Sequence, residues 1–106
     1  MTTYGQFDFT VDAREGGSDV HLVGELDLFT APLLREGLLR LLDDGTGDLT
    51  LDMSRLSFID STGLSVLVGA YKLAQQNGRG IVLRGPRPSA RKVLEISGLD
   101  TVFPIT

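Results

Sequence analysis

The chain has 106 residues, which suits one domain with a single hydrophobic core. It is 42% hydrophobic and 23% charged, as globular proteins are, and the lack of cysteine with only one histidine excludes disulfides, thiol catalysis and the common zinc and iron–sulfur centres. The net charge of −4 argues against nucleic-acid binding, and no apolar run is long enough to span a membrane, so we expect a cytoplasmic protein.

The first two predicted strands form a hairpin. Phe7, Phe9 and Val11 alternate with polar residues, which is typical of a half-buried strand. Residues 15–19 contain two glycines and predict a turn, and residues 20–24 predict the second strand. This spacing gives a loop longer than two residues, which leaves the register of the hairpin open.

A helix and a third strand follow. Thr30 precedes Ala31 and Pro32, and we expect Thr30 to cap a helix that continues to about Asp44 with leucines at helical spacing. Glycines end this helix. Residues 49–53 then alternate between apolar and polar side chains and predict the third strand.

A second helix and a fourth strand come next. A helix follows residue 60 and runs to about Asn77, with Gly78 as its end. Residues 81–83 are all apolar, which is typical of a parallel strand covered on both faces.

The last predicted elements are a third helix and a short strand. The helix begins at Pro88 and continues through Ser97, and residues 102–105 predict an edge strand because they include Pro104. The order β-β-α-β-α-β-α-β predicts an α/β domain over residues 1–106. Its mostly parallel sheet would have about five strands, an antiparallel N-terminal strand and helices packed on it.

The motifs of common enzymes are missing from the sequence. There is no Gly-x-Ser-x-Gly and no phosphate loop, and Gly78-Arg79-Gly80 joins a helix to a strand, so we interpret it as a turn. His21 is the single histidine and lies on a predicted strand. We therefore expect no enzyme activity, no cofactor and no metal.

The segment from Asp60 to Gly63 is the strongest candidate for a functional site. Asp60, Ser61 and Thr62 stand at the start of a helix, where any of them can cap free N–H groups. Three polar residues and a glycine exceed what one cap requires. A hydroxyl in this position also lies where N–H groups and the helix dipole favour a phosphate.

Three faces can be distinguished on the helix that follows. We expect the core face to comprise Leu64, Leu67, Val68, Tyr71 and Ala74. A small and polar face begins at Ser61 and contains Ser65, Gly69, Lys72 and Gln76. A second apolar stripe of Val66, Ala70 and Leu73 is covered either by a neighbouring element or by a partner.

Two segments resemble the signature of the STAS domain family of bacterial anti-sigma factor antagonists. They are Val23-Gly24-Glu25-Leu26-Asp27 and Phe58-Ile59-Asp60-Ser61-Thr62-Gly63-Leu64. Tyr71-Lys72 and Ile96-Ser97-Gly98-Leu99 also look like that family. The resemblance covers roughly residues 5–105, and it is specific because the two signature segments occur together.

The resemblance implies a binding module that is controlled by phosphorylation. An anti-sigma factor that is itself a serine kinase would phosphorylate Ser61, a phosphatase would reset it, and ATP would belong to the kinase. The unphosphorylated form would bind the anti-sigma factor and release the sigma factor. Asp27 and Asp60 would be the acidic neighbours of Ser61, and the partner-binding residues would be Thr62, Gly63, Ser65, Gly69 and Lys72.

The sequence leaves other interpretations open. Thr62 stands where the family often has a second serine, so it is a competing acceptor, and Ser65 stands where glycine is frequent. A STAS module of a lipid-transport complex or a signalling scaffold would keep the same helix cap. A small-ligand or nucleotide sensor would use the loops at Asp27 and Asp60, although two carboxylates are poor ligands for an anion.

Overall fold

The computed structural model describes residues 6–106, so residues 1–5 of the predicted domain lie outside the described part of the chain. Within residues 6–106, four strands and three α-helices follow one another in nearly the predicted order. They are β1 (Phe7–Arg14), β2 (Gly17–Leu26), α1 (Ala31–Asp44), β3 (Asp48–Ile59), α2 (Ser61–Gln76), β4 (Ile81–Arg84) and α3 (Pro88–Ile96), followed by a short 3₁₀ turn at Leu99–Thr101.

The sheet has the strand order β1-β2-β3-β4, with β1 antiparallel to β2 and the other pairs parallel. The prediction of about five strands was wrong, because residues 102–105 make only an isolated bridge between Ile105 and Leu83. The Leu83 N–H donates to the Pro104 carbonyl at 2.9 Å, and the Thr106 N–H donates to the Leu83 carbonyl at 2.9 Å. Pro104 has no N–H of its own to extend this pairing into a ladder.

The β1–β2 hairpin is tighter than predicted. Arg14 pairs with Gly17, so the loop consists of Glu15 and Gly16 alone, and Gly16 takes a positive φ of 84°. The expected longer loop was wrong because residues 17–19 continue β2. Glycine suits such a two-residue turn because it adopts positive φ without a steric penalty.

One face of the sheet and the buried faces of the helices form a single core. Leu49, Leu51 and Met53 of β3 point into it with the predicted alternation. β4 also alternates, with Ile81 and Leu83 buried and Val82 only half-buried. The prediction that this strand is covered on both faces was therefore wrong.

The buried face of α2 is rotated relative to the predicted one. It consists of Gly63, Val66, Leu67, Ala70 and Ala74, whereas Leu64, Val68 and Tyr71 are half-buried. Val66 and Ala70 belong to the stripe whose cover the sequence left open. A neighbouring element covers them, because α1 packs beside α2.

The opposite face of the sheet is polar and carries a network of charges. His21 lies between two carboxylates, with Nδ1 3.1 Å from Asp52 and Nε2 3.0 Å from Asp12. Arg84 extends the network from β4, at 3.5 Å from Asp52 and 3.8 Å from Asp19. The network therefore links all four strands across this face.

Stability should depend on the protonation of His21. The hydrogen bond with Asp52 raises the pKa of His21 above 6.5, helped by Asp12 and opposed by burial. A raised pKa means that the stabilisation is fully present below the unfolded-state pKa and is lost as the pH rises through the folded-state pKa. We expect the melting temperature to fall with rising pH in this range. The His21→Gln variant should lack this component when both proteins are melted from about pH 5 to about pH 9.

Asp52, in the same network, keeps its negative charge down to low pH. Burial raises its pKa, but hydrogen bonds from Ser54 and His21 outweigh that effect and lower the pKa to about 2. A depressed pKa stabilises the fold above the unfolded-state pKa, and this contribution is lost only as the pH falls through about 2.

A melting curve for His21→Gln that kept the wild-type slope at neutral and alkaline pH would contradict the assignment to His21.

Only three of the five basic residues in 79–106 are exposed. Arg79 is buried and donates to the carbonyls of Gly47 at 2.6 Å and Leu41 at 2.9 Å, which ties the end of α1 to the α2–β4 turn. Arg84 belongs to the polar sheet face. The exposed remainder is Arg87, Arg91 and Lys92.

Candidate functional site

The two predicted acidic residues lie at adjacent strand ends. Leu26, the last residue of β2, pairs with Ile59, the last residue of β3, so Asp27 and Asp60 follow neighbouring positions. The Asp60 N–H donates to the Leu26 carbonyl at 3.2 Å and joins the two strand ends. This edge of a parallel sheet is where ligands and partners of α/β proteins commonly bind.

Asp60 caps the helix that carries Ser61. Its carboxylate accepts the Gly63 N–H at 3.0 Å, and its carbonyl accepts the Leu64 N–H at 2.9 Å. Ser61 is exposed, and within residues 6–106 its hydroxyl has no hydrogen-bond partner. The Ser61 hydroxyl is therefore not required for capping, and it is accessible at the start of α2.

Asp27 organises the loop between β2 and α1. Its carboxylate accepts the N–H groups of Phe29 at 2.9 Å and Thr30 at 3.1 Å. The Thr30 hydroxyl donates to the Glu25 carbonyl at 2.7 Å, so it makes no cap bond to α1. The predicted side-chain cap by Thr30 was wrong because this hydroxyl holds the loop instead.

Gly63 lets α2 begin close to the sheet. It is buried, and a Cβ placed there would lie 2.9 Å from side-chain carbons of both Leu26 and Ile59. A contact this short would force those side chains apart. Gly63 is therefore not on the surface, and it positions Ser61 relative to the two strand ends.

The small and polar face of α2 is exposed. Ser65 donates its hydroxyl to the Ser61 carbonyl at 3.0 Å. A Cβ added at Gly69 would meet nothing within 4 Å, and Lys72 is exposed one turn further along. A partner can approach the backbone of α2 closely along this line.

Shallow grooves flank this face on both sides. The groove between α1 and α2 is lined by Arg35, Leu38, Leu39, Thr62, Ser65, Val66, Gly69 and Ala70. The groove between α2 and the residues that follow α3 is lined by Leu64, Ser65, Val68, Gly69, Lys72, Ser97 and Leu99. Ser65 and Gly69 line both grooves, so they form a low ridge between two apolar depressions. Thr62, the other candidate acceptor, is half-buried in the first groove.

The sequence did not reveal the apolar residues around the site. Leu28 is 62% exposed, Phe29 60% and Phe58 48%, all next to the strand ends that carry the acidic residues. Phe58 lies near the end of β3, two residues after the buried Leu56. The register shifts between Gly24 and Glu25, where an extra residue of β3 is accommodated, and Phe58 is turned outward.

The groove residues Arg35 and Leu39 of α1 were also not singled out from the sequence. They fall outside the leucine spacing that forms the core, and this position is the signal that could have placed them in a groove.

A family model for the STAS domain matches residues 8–106. The chain belongs to the STAS domain family. Its β-β-α-β-α-β-α order and mixed sheet match the STAS fold of solved relatives. Within the described residues, no helix is both long and apolar enough to cross a membrane.

Several STAS proteins similar to this chain carry informative names. The anti-sigma-B factor antagonist of Bacillus subtilis is 33% identical over 101 residues, which cover 93% of this chain and 92% of the relative. An anti-sigma factor antagonist of Mycobacterium paratuberculosis has a crystal structure with a TM-score of 0.83 and 32% identity, covering 99% of this chain and 89% of that one.

A third STAS relative, the Bacillus protein SpoIIAA, is known in two forms. The unphosphorylated anti-sigma factor antagonist matches with a TM-score of 0.80 and 25% identity, covering 93% of this chain and 88% of that one. The phosphorylated form matches with a TM-score of 0.72 and 25% identity, covering 93% and 91%.

Proposed function

We propose that this STAS protein is an anti-sigma factor antagonist whose unphosphorylated form binds a serine-kinase anti-sigma factor and thereby releases a sigma factor. The similar proteins named as anti-sigma factor antagonists support this role. The observation that carries it is the Ser61 hydroxyl, which is exposed at the start of α2 while Asp60 supplies the helix cap. The chain acts by binding and is not an enzyme, and the exchange takes place in the cytoplasm.

Phosphorylation of Ser61 requires little rearrangement of this protein. The Ser61 oxygen attacks the γ-phosphorus of ATP bound to the kinase, an O–P bond forms, the bond to ADP breaks, and the hydroxyl proton passes to a base of the kinase. The first N–H groups of α2 and the helix dipole stabilise the phosphate once it is attached. A phosphatase then hydrolyses the ester and restores the hydroxyl.

The phosphate would switch binding by its charge. It adds about −1.5 to −2 charges at pH 7, next to Asp27 and Asp60, on a chain whose net charge is already −4. The ridge of Ser65 and Gly69 continues from Ser61 along the same face of α2. An acidic or tightly docked partner surface that covers this ridge and approaches the strand ends would be repelled without any refolding of the antagonist.

The proposal is tested by incubating the chain with candidate kinase-type anti-sigma factors and ATP and mapping the modified residue by mass spectrometry. We expect one phosphate on Ser61 in the wild type, none in Ser61→Ala and one in the control Thr62→Ala. Binding of Ser61→Ala to the anti-sigma factor should be retained, and its stability should change by less than about 0.5 kcal/mol because Asp60 caps the helix. Stoichiometric phosphorylation of Ser61→Ala at Thr62 would show that the acceptor assignment is wrong.

A further inference from the structure

Strand β1 presents an open edge of the sheet. It is the first strand in the order β1-β2-β3-β4, and no other strand of residues 6–106 pairs with its outer side. At the opposite edge, β4 is bridged by Ile105. An eight-residue edge strand with an open hydrogen-bonding side is a template for pairing with another strand.

The hydrogen-bonding groups on the open side can be assigned from the hairpin. The Glu25 N–H donates to the Gln6 carbonyl, so the even-numbered residues of β1 direct their backbone groups toward β2. The odd-numbered residues Phe7, Phe9, Val11 and Ala13 direct theirs outward. Consistent with this, the Phe9 N–H is bonded at 2.8 Å to the carboxylate of its neighbour Asp8 and not to β2.

We propose that two copies of the chain associate through β1, antiparallel and about a twofold axis at Val11, so that their sheets join into one. In this register Val11 pairs with its own copy, and Phe9 pairs with Ala13 of the other copy. All of these residues carry outward-directed N–H and C=O groups, and the Phe9 N–H exchanges its bond to the Asp8 carboxylate for one to the other copy. This association does not depend on the proposed antagonist function.

The charges of β1 favour the register with the axis at Val11 over the register with the axis at Thr10. Residues directly opposite each other must lie on the same face of the joined sheet, so the axis falls on one residue and not between two. With the axis at Val11, Asp8 lies opposite Arg14 of the other copy twice and no like charges face each other, although in the single chain the Arg14 guanidinium bonds Asp19 at 2.8 Å and Thr50 at 3.0 Å. With the axis at Thr10, Asp8 lies opposite Asp12, and two like-charged pairs destabilise the ladder.

Apolar surface at the same edge supports the association. Val11 is 40% exposed on the strand itself. On the core side of the sheet, the Phe9 ring packs under Gly37 of α1 and occupies the space that a Cβ there would need. Leu33, one helical turn before Gly37, is 49% exposed. Ser61 lies at the end of β3, two strands away from this edge, so the dimer would keep both acceptor serines accessible.

Single cysteines give a direct test, because the natural chain has none. In the proposed register the Cα atoms of two opposing residues 11 lie about 5.5 Å apart, which is within the range of a disulfide. We expect Val11→Cys to form a disulfide-linked dimer under mild oxidation. The matched control Thr10→Cys, which would face Asp12, should remain monomeric on a non-reducing gel. Stronger cross-linking of Thr10→Cys than of Val11→Cys would overturn the proposed register.

Sedimentation equilibrium of the wild type at up to about 100 µM tests the dimer without a cross-link, because association depends on concentration. We expect a dimer that dissociates on dilution. Val11→Pro removes an outward N–H that β2 does not use, and Asp8→Lys places two cations opposite each other, so each should weaken association by at least about tenfold. A wild type that is monomeric throughout, or an Asp8→Lys variant that associates more tightly, would overturn the proposal.

Discussion

We expect Gly69→Arg to lower the affinity for the anti-sigma factor by at least about tenfold while the domain remains folded. A Cβ at Gly69 meets nothing within 4 Å, so the side chain enters solvent in the isolated protein. Glycine inside a helix costs about 1 kcal/mol relative to good helix formers, so the free energy of unfolding should be unchanged or higher. In the complex the same side chain would stand on the ridge between the two grooves and hold the partner away from α2.

The control for this variant is Gln76→Arg, which adds the same side chain to the exposed last residue of α2. It lies about 10 Å further from Ser61 than Gly69 does, at a rise of about 1.5 Å per residue. Isothermal titration should give wild-type affinity for Gln76→Arg and an intermediate or unchanged affinity for Gly69→Ala. Unimpaired binding of Gly69→Arg would place the partner away from the ridge of Ser65 and Gly69.

Alternation and glycine positions predicted most of the fold, but not where pairing begins and ends. The buried residues Leu49, Leu51 and Met53 follow the simple period of a strand. The same rule failed at residues 102–105, because the period of the side chains does not report whether a backbone has N–H groups available for a ladder. The same rule also failed at residues 17–19. Their small and polar side chains are typical of a loop, but their backbone pairs with Asp48, Leu49 and Thr50 of β3.

The candidate site was predictable as a sequence segment and less so as a surface. The parallel order of strands places Asp27 beside Asp60, since residues that follow neighbouring parallel strands share one edge. The predicted buried face of α2 is rotated from the observed one, because the packing of α1 decides which side of α2 is exposed. Periodicity alone does not give the direction from which α1 packs. The exposure of Phe58 was not predictable, because a bulge inverts the inside and outside of a strand without changing its composition.

We expect phosphorylation at Ser61 to lower the affinity for the anti-sigma factor by about a hundredfold. The Ser61→Glu variant should lower this affinity by at least about tenfold. Both losses are expected because like charges brought together in an interface cost several kcal/mol. The carboxylate is the weaker mimic because it carries one charge and the phosphate carries more. The helix should not unfold, because negative charge is favourable at a helix N-terminus. Affinities measured by titration, with circular dichroism as the folding control, test both statements.

Ser61→Gln separates charge from size, because glutamine has nearly the shape of glutamate and no charge. We expect Ser61→Gln to bind more tightly than Ser61→Glu, and the difference between them to shrink as salt is raised, since ions screen partly exposed charges. Equal losses for the two variants at every salt concentration would mean that size alone excludes the partner. A phosphorylated wild type that binds as tightly as the unmodified protein would contradict any switch at this serine, because the charge added there would not be sensed by the partner.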